Sequence, residues 1–409
     1  MKDKVRLGII GCGARSIGVI KLYLCPMLAD DVVIAGVSDV YPDAMEKAVD
    51  LIVAAGGDRP KCSRNYHDIL NMDIDAVLVM TGWEEHVQIS VDAMLAGKPV
   101  AMEVGGAYSL EECWRLVRTS EKTGMPCMML ENGCYDEREL MVLNMAKKGF
   151  FGDIVYCEGS YSHDLRPMFI NPAPSRPSDH YRPRNYMRNC DNYPTHELGP
   201  IAKLLNINNG NRMLSLTSVA SCAKGAHQAI IDALGPDHPM AKLPIQLGDI
   251  IKTNITCAGG ELITLTLDTS LPRHYSRSFT VRGTKAGYWE VNDSIFVEGD
   301  EHKKGKDTWG TAEKYAEEWR HPLSKLYQGK FDSLDWLVCR AFIEAVKAGV
   351  QTPIDVYDTA SWMCISTLSE QSIAMGGAPQ PIPDFTNGRW IKRSDIVDQP
   401  YGLNSIYEV

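Results

Sequence analysis

Short apolar runs alternate with amphipathic stretches over the first third of the chain. Each run is apolar throughout, which is the pattern of a strand buried on both faces of a sheet. The stretches between them have helical spacing, and one opens with a capping box formed by Ser109 and Glu112. Repeated βα units predict an α/β fold with a doubly wound parallel sheet. The strand-like runs are VRLGIIG (5–11), VVIAGVSD (32–39), AVLVMTG (76–82), PVAME (99–103) and PCMMLE (126–131).

The pattern changes after about residue 150. Short alternating runs are separated by turn signals such as AGG and GTKAG, which is typical of an antiparallel sheet. Two long helical patterns follow, at 331–349 and 355–376. We predict a first domain at 1–132 and a second, α+β domain at 133–409 with a large, mostly antiparallel open sheet. Its strand-like runs are IVYCEGSYSHDL (154–165), IIKTNITCA (250–258), LITLTLDTS (262–270), SRSFTVRGT (276–284) and YWEVNDSIFVEG (288–299).

Composition narrows the classes of function. The 409 residues carry a net charge of −10, which argues against a nucleic-acid partner or an anionic membrane surface. No apolar run is long enough to span a bilayer, and the N-terminus lacks the pattern of a secretory signal, so we expect a cytoplasmic protein. The 12 cysteines include no CxxC pair and no tight Cys/His cluster, so we expect buried thiols and no metal site.

A glycine-rich turn follows the first predicted strand. In GIIGCGARSIG, Gly11 and Gly13 match the first two glycines of the dinucleotide fingerprint, and Ser16 stands in the third position. Asp39 ends the second strand, where a carboxylate holds the ribose hydroxyls. Val40 and Tyr41 follow it, without a basic residue to bind a 2′-phosphate. The turn therefore predicts a Rossmann domain that binds NAD rather than NADP; a glycine turn in another doubly wound fold is the alternative.

Three more polar turns follow predicted strands. They are TGWEEH (81–86), MEVGG (102–106) and LENGCY (130–135). Because the carboxyl ends of parallel strands meet at one edge of a sheet, these turns are expected to line a cofactor trough. Helix capping by Thr81 or Asn132 is the simpler alternative for each turn taken alone.

The segment NYPTHELGP (192–200) combines a tyrosine and a histidine at the start of a predicted helix. An imidazole titrates near neutral pH and suits general acid–base catalysis, so Tyr193 and His196 are candidate catalytic residues. The alternative is structural: Pro194 at the first helical position and Thr195 as a cap would be helix punctuation alone.

Taken together, the glycine-rich turn, Asp39, TGWEEH and GKPVAMEV resemble the family of glucose–fructose oxidoreductase/inositol dehydrogenase-like proteins. That family pairs a Rossmann domain with an α/β domain whose open sheet often mediates oligomerisation. Most of its dehydrogenases carry Glu-Lys-Pro after the fifth strand, and the lysine helps deprotonate the hydroxyl being oxidised. This chain has Glu103, Val104 and Gly105 there, and valine cannot relay a proton. The resemblance therefore disfavours an ordinary dehydrogenase.

Other segments are similar to the NAD-dependent α-N-acetylgalactosaminidase branch of this family. They are MLENGCYDERELMVLNM, GDIVYCEGSYSHDLR, RNCDNYPTHELGPIAKLL and PDFTNGRW. Two positions depart from the branch: Ser16 replaces a glycine, and Glu197 replaces a smaller residue beside the presumed sugar site. The resemblance implies NAD contacts from Ala14, Arg15, Asp39, Trp83, His86, Glu103, Val104, Asn132 and His196, and sugar contacts from Tyr161, Tyr193 and Tyr275.

The branch implies hydrolysis by transient oxidation of the sugar at C3, elimination across C1 and C2, addition of water and re-reduction. His196 suits the base near C3, and Tyr193 or Tyr161 the base at C2, a choice that the sequence leaves open. Tyrosine is a poor base without a nearby cation, and the candidates are Arg182, Arg184 and Arg188. His163, Asp164 and Arg166 are further candidates for contact with the sugar.

Three functions stay open at this point. The preferred one is an NAD-dependent glycosidase that acts on a small α-linked hexoside and forms a homo-oligomer through its open sheet. An NAD-dependent sugar or polyol dehydrogenase is the alternative, and net accumulation of NADH would distinguish it. The third is a non-catalytic NAD-binding regulator, which would not need the pair of Tyr193 and His196.

Overall fold

The structure is a computed structural model that describes residues 4–170, 184–299, 310–327, 333–396 and 398–406, without the side chain of residue 169. Within these ranges the chain forms a six-stranded sheet followed by an eight-stranded sheet. An α/β half is thus followed by a half with a large second sheet, which confirms the predicted fold class.

Apart from the short edge strand Lys61–Ser63, the strands of the first sheet are apolar and mostly buried. The sheet contains β1 (Val5–Ile10), β2 (Val32–Ser38), β3 (Lys61–Ser63), β4 (Ala76–Val79), β5 (Val100–Met102) and β6 (Cys127–Met129). All pair in parallel in the order β3-β2-β1-β4-β5-β6. This is the order of a dinucleotide-binding doubly wound sheet, whose switch point lies between β1 and β4. Strand β3 was not predicted, because its three residues form no apolar run.

Helices connect these strands as the spacing predicts, except that the short helix Tyr66–Leu70 was not predicted. The predicted capping box at Ser109 is confirmed, and Gly124 ends the same helix in the left-handed conformation. The first helix continues through a π-helical turn, Ile20–Leu24. The helices of this half are α1 (Ala14–Val19), α2 (Pro42–Ala54), α3 (Tyr66–Leu70), α4 (Trp83–Leu95) and α5 (Leu110–Thr123).

The second sheet runs in the order β13-β12-β11-β7-β10-β9-β8-β14. Among the described strands of this second sheet, only β7 and β10 pair in parallel, so the prediction of a mostly antiparallel sheet is confirmed. The strands are β7 (Ile154–Ser162), β8 (Met213–Ala220), β9 (Ile250–Cys257), β10 (Leu262–Asp268), β11 (Thr280–Gly283), β12 (Ala286–Trp289), β13 (Ser294–Val297) and β14 (Gln380–Pro381).

One strand prediction in this half was wrong. The run YWEVNDSIFVEG does not form a single strand but contributes to both β12 and β13, which pair as a hairpin. A 3-10 turn at Glu290–Asn292 separates them, and Asp293 takes a left-handed conformation with φ of 42°. Asparagine and aspartate tolerate this conformation better than most residues, so the sequence VND contains the turn signal.

The helices of the second half are α6 (Glu137–Lys147), α7 (Arg166–Ile170), α8 (Pro194–Leu204), α9 (Gly225–Leu234), α10 (Glu313–Ala316), α11 (Ser333–Ala348) and α12 (Val356–Ala374). Short 3-10 turns lie at Asn132–Tyr135, Pro239–Lys242, Pro322–Lys325 and Arg389–Ile391. The two long helical patterns near the end of the chain are confirmed by α11 and α12.

Helix α8 packs against β7 of the second sheet. The closest approach is at Gly159, where an added Cβ would lie 2.0 Å from the carbonyl oxygen of Glu197. Only a glycine permits this contact between helix and strand. The start of α8, with Tyr193 and His196, is thereby held next to the end of β7, with Tyr161.

Two late helices return to the first sheet. Helix α11 packs against the turn Asn132–Tyr135 and the π-helical turn after α1, and α12 contacts α5, β6, β8 and α8. The carboxyl edge of the first sheet is therefore enclosed partly by residues from the second half of the chain.

No helix in the described ranges is long and apolar enough to cross a bilayer. In the same ranges, no group of three or more His, Cys, Asp or Glu side chains is arranged to hold a metal ion.

Candidate active site

The glycine-rich turn between β1 and α1 has the geometry that a dinucleotide requires. Gly11 has a φ of 95°, and a Cβ there would lie 2.5 Å from the carbonyl carbon of Met80. Gly13 is the N-cap of α1, and a Cβ there would meet no atom within 4 Å. The space above Gly13 is thus open at a helix N-terminus, which suits a pyrophosphate. Ser16, the departure in the third position, is fully buried within α1.

Asp39 is held at the end of β2 by the glycine-rich turn itself. Its carboxylate accepts hydrogen bonds from the backbone N–H of Cys12 at 2.7 Å and of Tyr41 at 2.9 Å. Each carboxylate oxygen has a second lone pair, so the side chain can still accept from the hydroxyls of a ribose. Its position relative to Gly13 matches the expected arrangement for a dinucleotide with an unsubstituted 2′-hydroxyl.

Arg15 connects the glycine-rich turn to a late helix. Its guanidinium donates to Glu103 Oε1 at 2.9 Å and, through two nitrogens, to both carboxylate oxygens of Asp335 at 2.9 and 2.5 Å. Asn132 Nδ2 donates to the same carboxylate at 2.8 Å. Burial raises the pKa of Asp335, but hydrogen bonds from Arg15 outweigh it and lower the pKa overall. An ionised carboxylate therefore joins Arg15 and Asn132. Ala14 is exposed beside Arg15.

Trp83 and His86 belong to the first turn of α4. His86 is buried, which lowers its pKa to about 4, and Nε2 donates to the carbonyl oxygen of Thr81 at 3.1 Å. The ring is therefore neutral at pH 7, with Nδ1 as an acceptor. Nδ1 has no hydrogen-bond partner among the described residues. An orphaned buried acceptor at this edge of the sheet fits a bound hydroxyl or amide of a cofactor.

Glu103 and Val104 follow β5, as expected, and both are buried. Burial raises the pKa of Glu103, the nearby guanidinium of Arg15 lowers it, and Asp335 raises it again, with a net upward shift. Gly105 contacts the indole of Trp83, because a Cβ at Gly105 would lie 2.7 Å from an indole carbon. The ends of β4 and β5 thus meet at Trp83.

Two tyrosines and a histidine form an aromatic cluster next to Trp83. The rings of Tyr161 and Tyr193 stack at 4.2 Å with an interplanar angle of 20°. His196 packs edge-on against both, at 5.3 Å from Tyr161 and 4.9 Å from Tyr193. Tyr193 also lies 5.2 Å from Trp83. The three predicted catalytic side chains are therefore in contact with one another and with the predicted cofactor trough.

Two further predicted sugar-binding residues extend this cluster. His163 Nδ1 lies 3.2 Å from the hydroxyl oxygen of Tyr161, and its ring packs edge-on against Tyr275 at 5.2 Å. Tyr275 is 52% exposed and lies at the outer end of the cluster. The aromatic side chains from Trp83 to Tyr275 thus form a row that runs from the cofactor edge of the first sheet toward solvent.

Two of the three arginines proposed as cations for the tyrosines pair with glutamates. Arg184 is 3.4 Å from Glu84 on α4, and Arg188 forms an ion pair with Glu370 at 2.6 Å. No contact of either with the aromatic cluster is seen in the described ranges, and Arg182 lies outside them. Asp164 and Arg166 pair with each other at 2.6 Å.

His196 is paired with a carboxylate that the sequence analysis did not select. Its Nδ1 lies 2.7 Å from Oε1 of Glu131, which also accepts from the backbone N–H of Gly133 at 2.8 Å. Thr195 does not cap α8: the N-cap residue is Tyr193, whose side chain makes no capping hydrogen bond to the helix, and Pro194 is the first helical residue. The capping alternative is therefore wrong for Thr195.

Glu197 lies beneath the cluster rather than in an open cleft, because only 1% of its surface is exposed. Burial raises its pKa well above the ordinary value, and repulsion from the nearby Asp191 raises it further. Asp191 is itself buried, which raises its pKa to about 7. Both carboxyl groups belong to the core that supports Tyr193 and His196.

The two halves of the chain match two family models. Residues 5–131 match the oxidoreductase family with an NAD-binding Rossmann fold. Residues 135–392 match the C-terminal domain of glycosyl hydrolase 109, a match that alone spans more than half of the chain. The chain belongs to glycosyl hydrolase family 109. Residues 5–131 are accordingly an NAD-binding Rossmann fold. The open space at Gly13, the acceptor on His86 and the carboxylate of Asp39 fit that cofactor.

Family 109 relatives are similar over nearly the whole chain. A glycosyl hydrolase family 109 protein of Stenotrophomonas maltophilia (strain K279a) is 37% identical over 96% of this chain and 91% of its own length. An α-N-acetylgalactosaminidase of Tannerella forsythia is 36% identical over 95% of this chain and 88% of its own length.

Solved structures share the fold at much lower identity. Levoglucosan dehydrogenase in complex with NADH and levoglucosan superposes with a TM-score of 0.68 and 18% identity, covering 93% of this chain and 100% of that one. At this identity the likeness shows the fold of this family 109 chain and nothing about its substrate.

Two carboxylates of this family 109 chain were missed by sequence reasoning. Glu131 stands in LENGCY, where only Asn132 was selected. Asp335 stands in the apolar pattern LDWLVCRAF. A carboxylate on the buried face of a predicted helix indicates a buried partner, and this signal could have identified Asp335. Neither could be paired with its partner from the sequence, because the partners lie 65 and 320 residues away.

Proposed function

We propose that this chain is an α-N-acetylgalactosaminidase that uses NAD to hydrolyse a small α-linked hexosaminide. The observation that carries the proposal is the contact among Tyr161, Tyr193 and His196 beside Trp83, at the carboxyl edge of the NAD-binding sheet. Relatives named α-N-acetylgalactosaminidase, 36% identical over 95% of the chain, support the choice of sugar.

Bound NAD supplies the acceptor, and later the donor, of the hydride at C3 of the sugar. His196 accepts the proton of the C3 hydroxyl as that hydride leaves, so that a ketone forms at C3. Val104, buried where related dehydrogenases carry lysine, has no group that takes a proton. The imidazole is therefore the proton acceptor that we assign to this step.

The ketone acidifies the hydrogen at C2, and a tyrosine removes it while the bond from C1 to the leaving group breaks. We assign this role to Tyr161, because its hydroxyl oxygen lies 3.2 Å from His163 Nδ1, which offers a partner for the phenolic proton. Tyr193 stacks on Tyr161 and holds the sugar against the cofactor edge. Water then adds at C1, the proton returns to C2, and the C3 ketone is reduced again.

The test is incubation of the purified protein with p-nitrophenyl α-N-acetylgalactosaminide in D₂O, beside a panel of other nitrophenyl hexosides. We expect release of nitrophenol, deuterium at C2 of the released sugar and no net NADH. Release without deuterium at C2 would contradict the elimination. NADH that accumulates on free sugars, with no glycoside cleaved, would establish the dehydrogenase instead.

We further propose a homo-oligomer that forms through the open face of the second sheet. The residues in register across this face include Phe296, Arg282, Tyr156, Leu262 and Thr256. Phe296 and Leu262 are 44% and 40% exposed, which supports a covered face in an assembly. Light scattering of the wild type and of Phe296→Glu tests this.

The domain boundary near residue 132 and a cytoplasmic location remain predictions.

A further inference from the structure

The pair of His196 and Glu131 joins the two matched parts of the chain. Glu131 follows β6 and is the last residue of the Rossmann match, whereas His196 lies in the first turn of α8. Oε1 of Glu131 and Nδ1 of His196 are 2.7 Å apart, and Glu131 is completely buried. A contact of this length between an imidazole and a carboxylate is a charge-assisted hydrogen bond.

Two glycines make room for the Glu131 side chain. A Cβ on Gly199 of α8 would lie 2.7 Å from Cγ of Glu131, and a Cβ on Gly133 would lie 2.8 Å from its Oε1. Gly199 sits inside a helix, where glycine costs about 0.5–1 kcal/mol relative to alanine. The chain therefore has a space shaped for this carboxylate, one wall of which comes from the helix that carries His196.

The charge state of Glu131 fixes which atom carries the shared hydrogen. Burial raises the pKa of Glu131, but the charge of a protonated His196, the hydrogen bond to it and the N–H of Gly133 together bring the pKa below the ordinary value. When the ring is neutral, the hydrogen bonds from Nδ1–H and from the N–H of Gly133 still favour the carboxylate. Glu131 is therefore ionised at neutral pH and can only accept hydrogen bonds. The short contact then requires a hydrogen on Nδ1 of His196, so Nε2 is the ring nitrogen that can accept a proton.

We propose that Glu131 is the positioning residue for His196: it holds the Nδ1–H tautomer and the ring plane, so that Nε2 meets the hydroxyl of the sugar. The assignment of the sugar hydroxyl rests on the proposed function. The tautomer does not, because it follows from the contact between Nδ1 and the ionised carboxylate of Glu131.

Several charged or titratable groups surround this pair. Arg277 and Tyr275 lie close to Glu131, and Asp335 lies close to His196. The rings of Tyr161 and Tyr193 pack against the imidazole. Arg277 is buried between Asp136 and Glu139, so its charge is already paired at 3.2 and 3.1 Å. The direct hydrogen-bond partner of the imidazole in the described ranges remains Glu131.

The first test reads the tautomer directly in the intact protein. Nitrogen NMR of isotope-labelled histidines distinguishes a protonated Nδ1 from a protonated Nε2, and the signal of His196 is assigned by its loss in His196→Gln. We expect Nδ1–H in the wild type and a mixture of tautomers in Glu131→Leu. A wild-type ring with hydrogen on Nε2 alone would overturn the proposal, whatever substrate the enzyme has.

The second test measures turnover with p-nitrophenyl α-N-acetylgalactosaminide and NAD affinity by calorimetry. We expect Glu131→Leu to lower kcat about 100-fold, with KM and NAD affinity little changed, since a positioned base contributes about 100-fold or more. Glu131→Asp, which restores the charge, should recover part of the loss. An unchanged kcat in Glu131→Leu would overturn the positioning role.

Glu139→Gln is the matched control. Glu139 is also buried and close to Arg277, but it has no contact with His196. We expect its kcat and its tautomer signal to equal those of the wild type. If Glu131→Leu fails to fold, Glu131→Met keeps a similar side-chain length and removes both acceptor oxygens, and a kcat equal to the wild type would then count against the proposal. A wild type that cleaves no glycoside refutes the proposed function and leaves the tautomer test valid.

Discussion

Asp335 and Arg15 lie 320 residues apart in the chain and share two hydrogen bonds, of 2.9 and 2.5 Å. Arg15 follows the glycine-rich turn, and Asp335 is on the buried face of α11. Since Asn132 donates to the same carboxylate at 2.8 Å, one side chain of a late helix holds two predicted NAD contacts. The cofactor cleft is thus completed from outside the Rossmann strands.

We expect Asp335→Asn to weaken NAD binding about tenfold, because charge-assisted hydrogen bonds are worth about 1.5–3 kcal/mol and Arg15 is partly screened by solvent. Calorimetric titration of the purified variant with NAD measures this. Glu344→Gln is the control, since Glu344 lies on the same helix and pairs with Arg340 rather than with Arg15. Equal affinities for the wild type and Asp335→Asn would show that Arg15 needs no positioning.

Tyr161→Phe should separate the two chemical stages of the proposed reaction. Without the phenol, oxidation at C3 remains, because His196 is untouched, but the C2 hydrogen stays. We expect transient NADH absorbance after substrate is added, with deuterium exchange at C2 reduced about 100-fold. Tyr193→Phe is the matched variant, and it should retain exchange at C2. Loss of exchange in Tyr193→Phe alone would move the C2 base to Tyr193.

The fold was predictable because it rests on local patterns, and the same patterns placed the polar turns of the proposed cofactor site after strands of the first sheet. Apolar runs indicated the parallel sheet, and the turns after β1, β4, β5 and β6 indicated the cofactor edge. Glu131 and Asp335 were not predictable as partners, because pairing depends on how α8 and α11 pack on that edge. The partner of Arg188 was not predictable for the same reason: Arg188 is near Tyr193 in sequence, but its side chain pairs with Glu370.

Glu197→Gln should stabilise the protein at neutral and alkaline pH. The pKa of Glu197 is higher in the folded state than in the unfolded chain. The protonated carboxyl therefore contributes fully to the free energy of unfolding below the unfolded-state pKa, and this contribution is lost as the pH rises through the folded-state pKa. Glutamine has no proton to lose. We expect the free energy of unfolding at about pH 7.5 to rise by at least about 1 kcal/mol, as measured with urea.

The same variant should show little gain at about pH 4.5, where the wild-type carboxyl is protonated. Glu158→Gln, on the open face of the second sheet, serves as the control, with an expected change within about 0.5 kcal/mol at either pH. A destabilised Glu197→Gln at alkaline pH would mean that the fold uses the ionised carboxylate.

Two buried histidines should make the fold sensitive to acid. Burial lowers the pKa of His86 and of His321 to about 4, whereas each titrates near 6.5 in the unfolded chain. Because the folded state keeps both rings neutral, their contribution to the free energy of unfolding is complete above about pH 6.5 and is lost as the pH falls toward 4. We expect the free energy of unfolding to fall by about 2 kcal/mol per ring between about pH 7 and pH 5.

His321→Asn isolates one of these contributions. His321 Nδ1 accepts from the backbone N–H of Leu323 at 3.1 Å, and asparagine can cap the same 3-10 turn. We expect urea unfolding of this variant to depend less on pH between about 7 and 5 than that of the wild type. Equal pH dependence in the variant and the wild type would show that the folded state protonates His321 as readily as the unfolded chain does.

The return of α11 to the glycine-rich turn has a consequence for the protein during its synthesis. A nascent chain that has released only its Rossmann strands from the ribosome already has Gly11, Gly13 and Asp39, but its Arg15 has no Asp335. Firm capture of NAD must wait until about 200 more residues, including every strand of the second sheet except β14, have been made. Cofactor retention therefore reports that translation has passed α11, and chains cut short before that helix hold the dinucleotide only loosely.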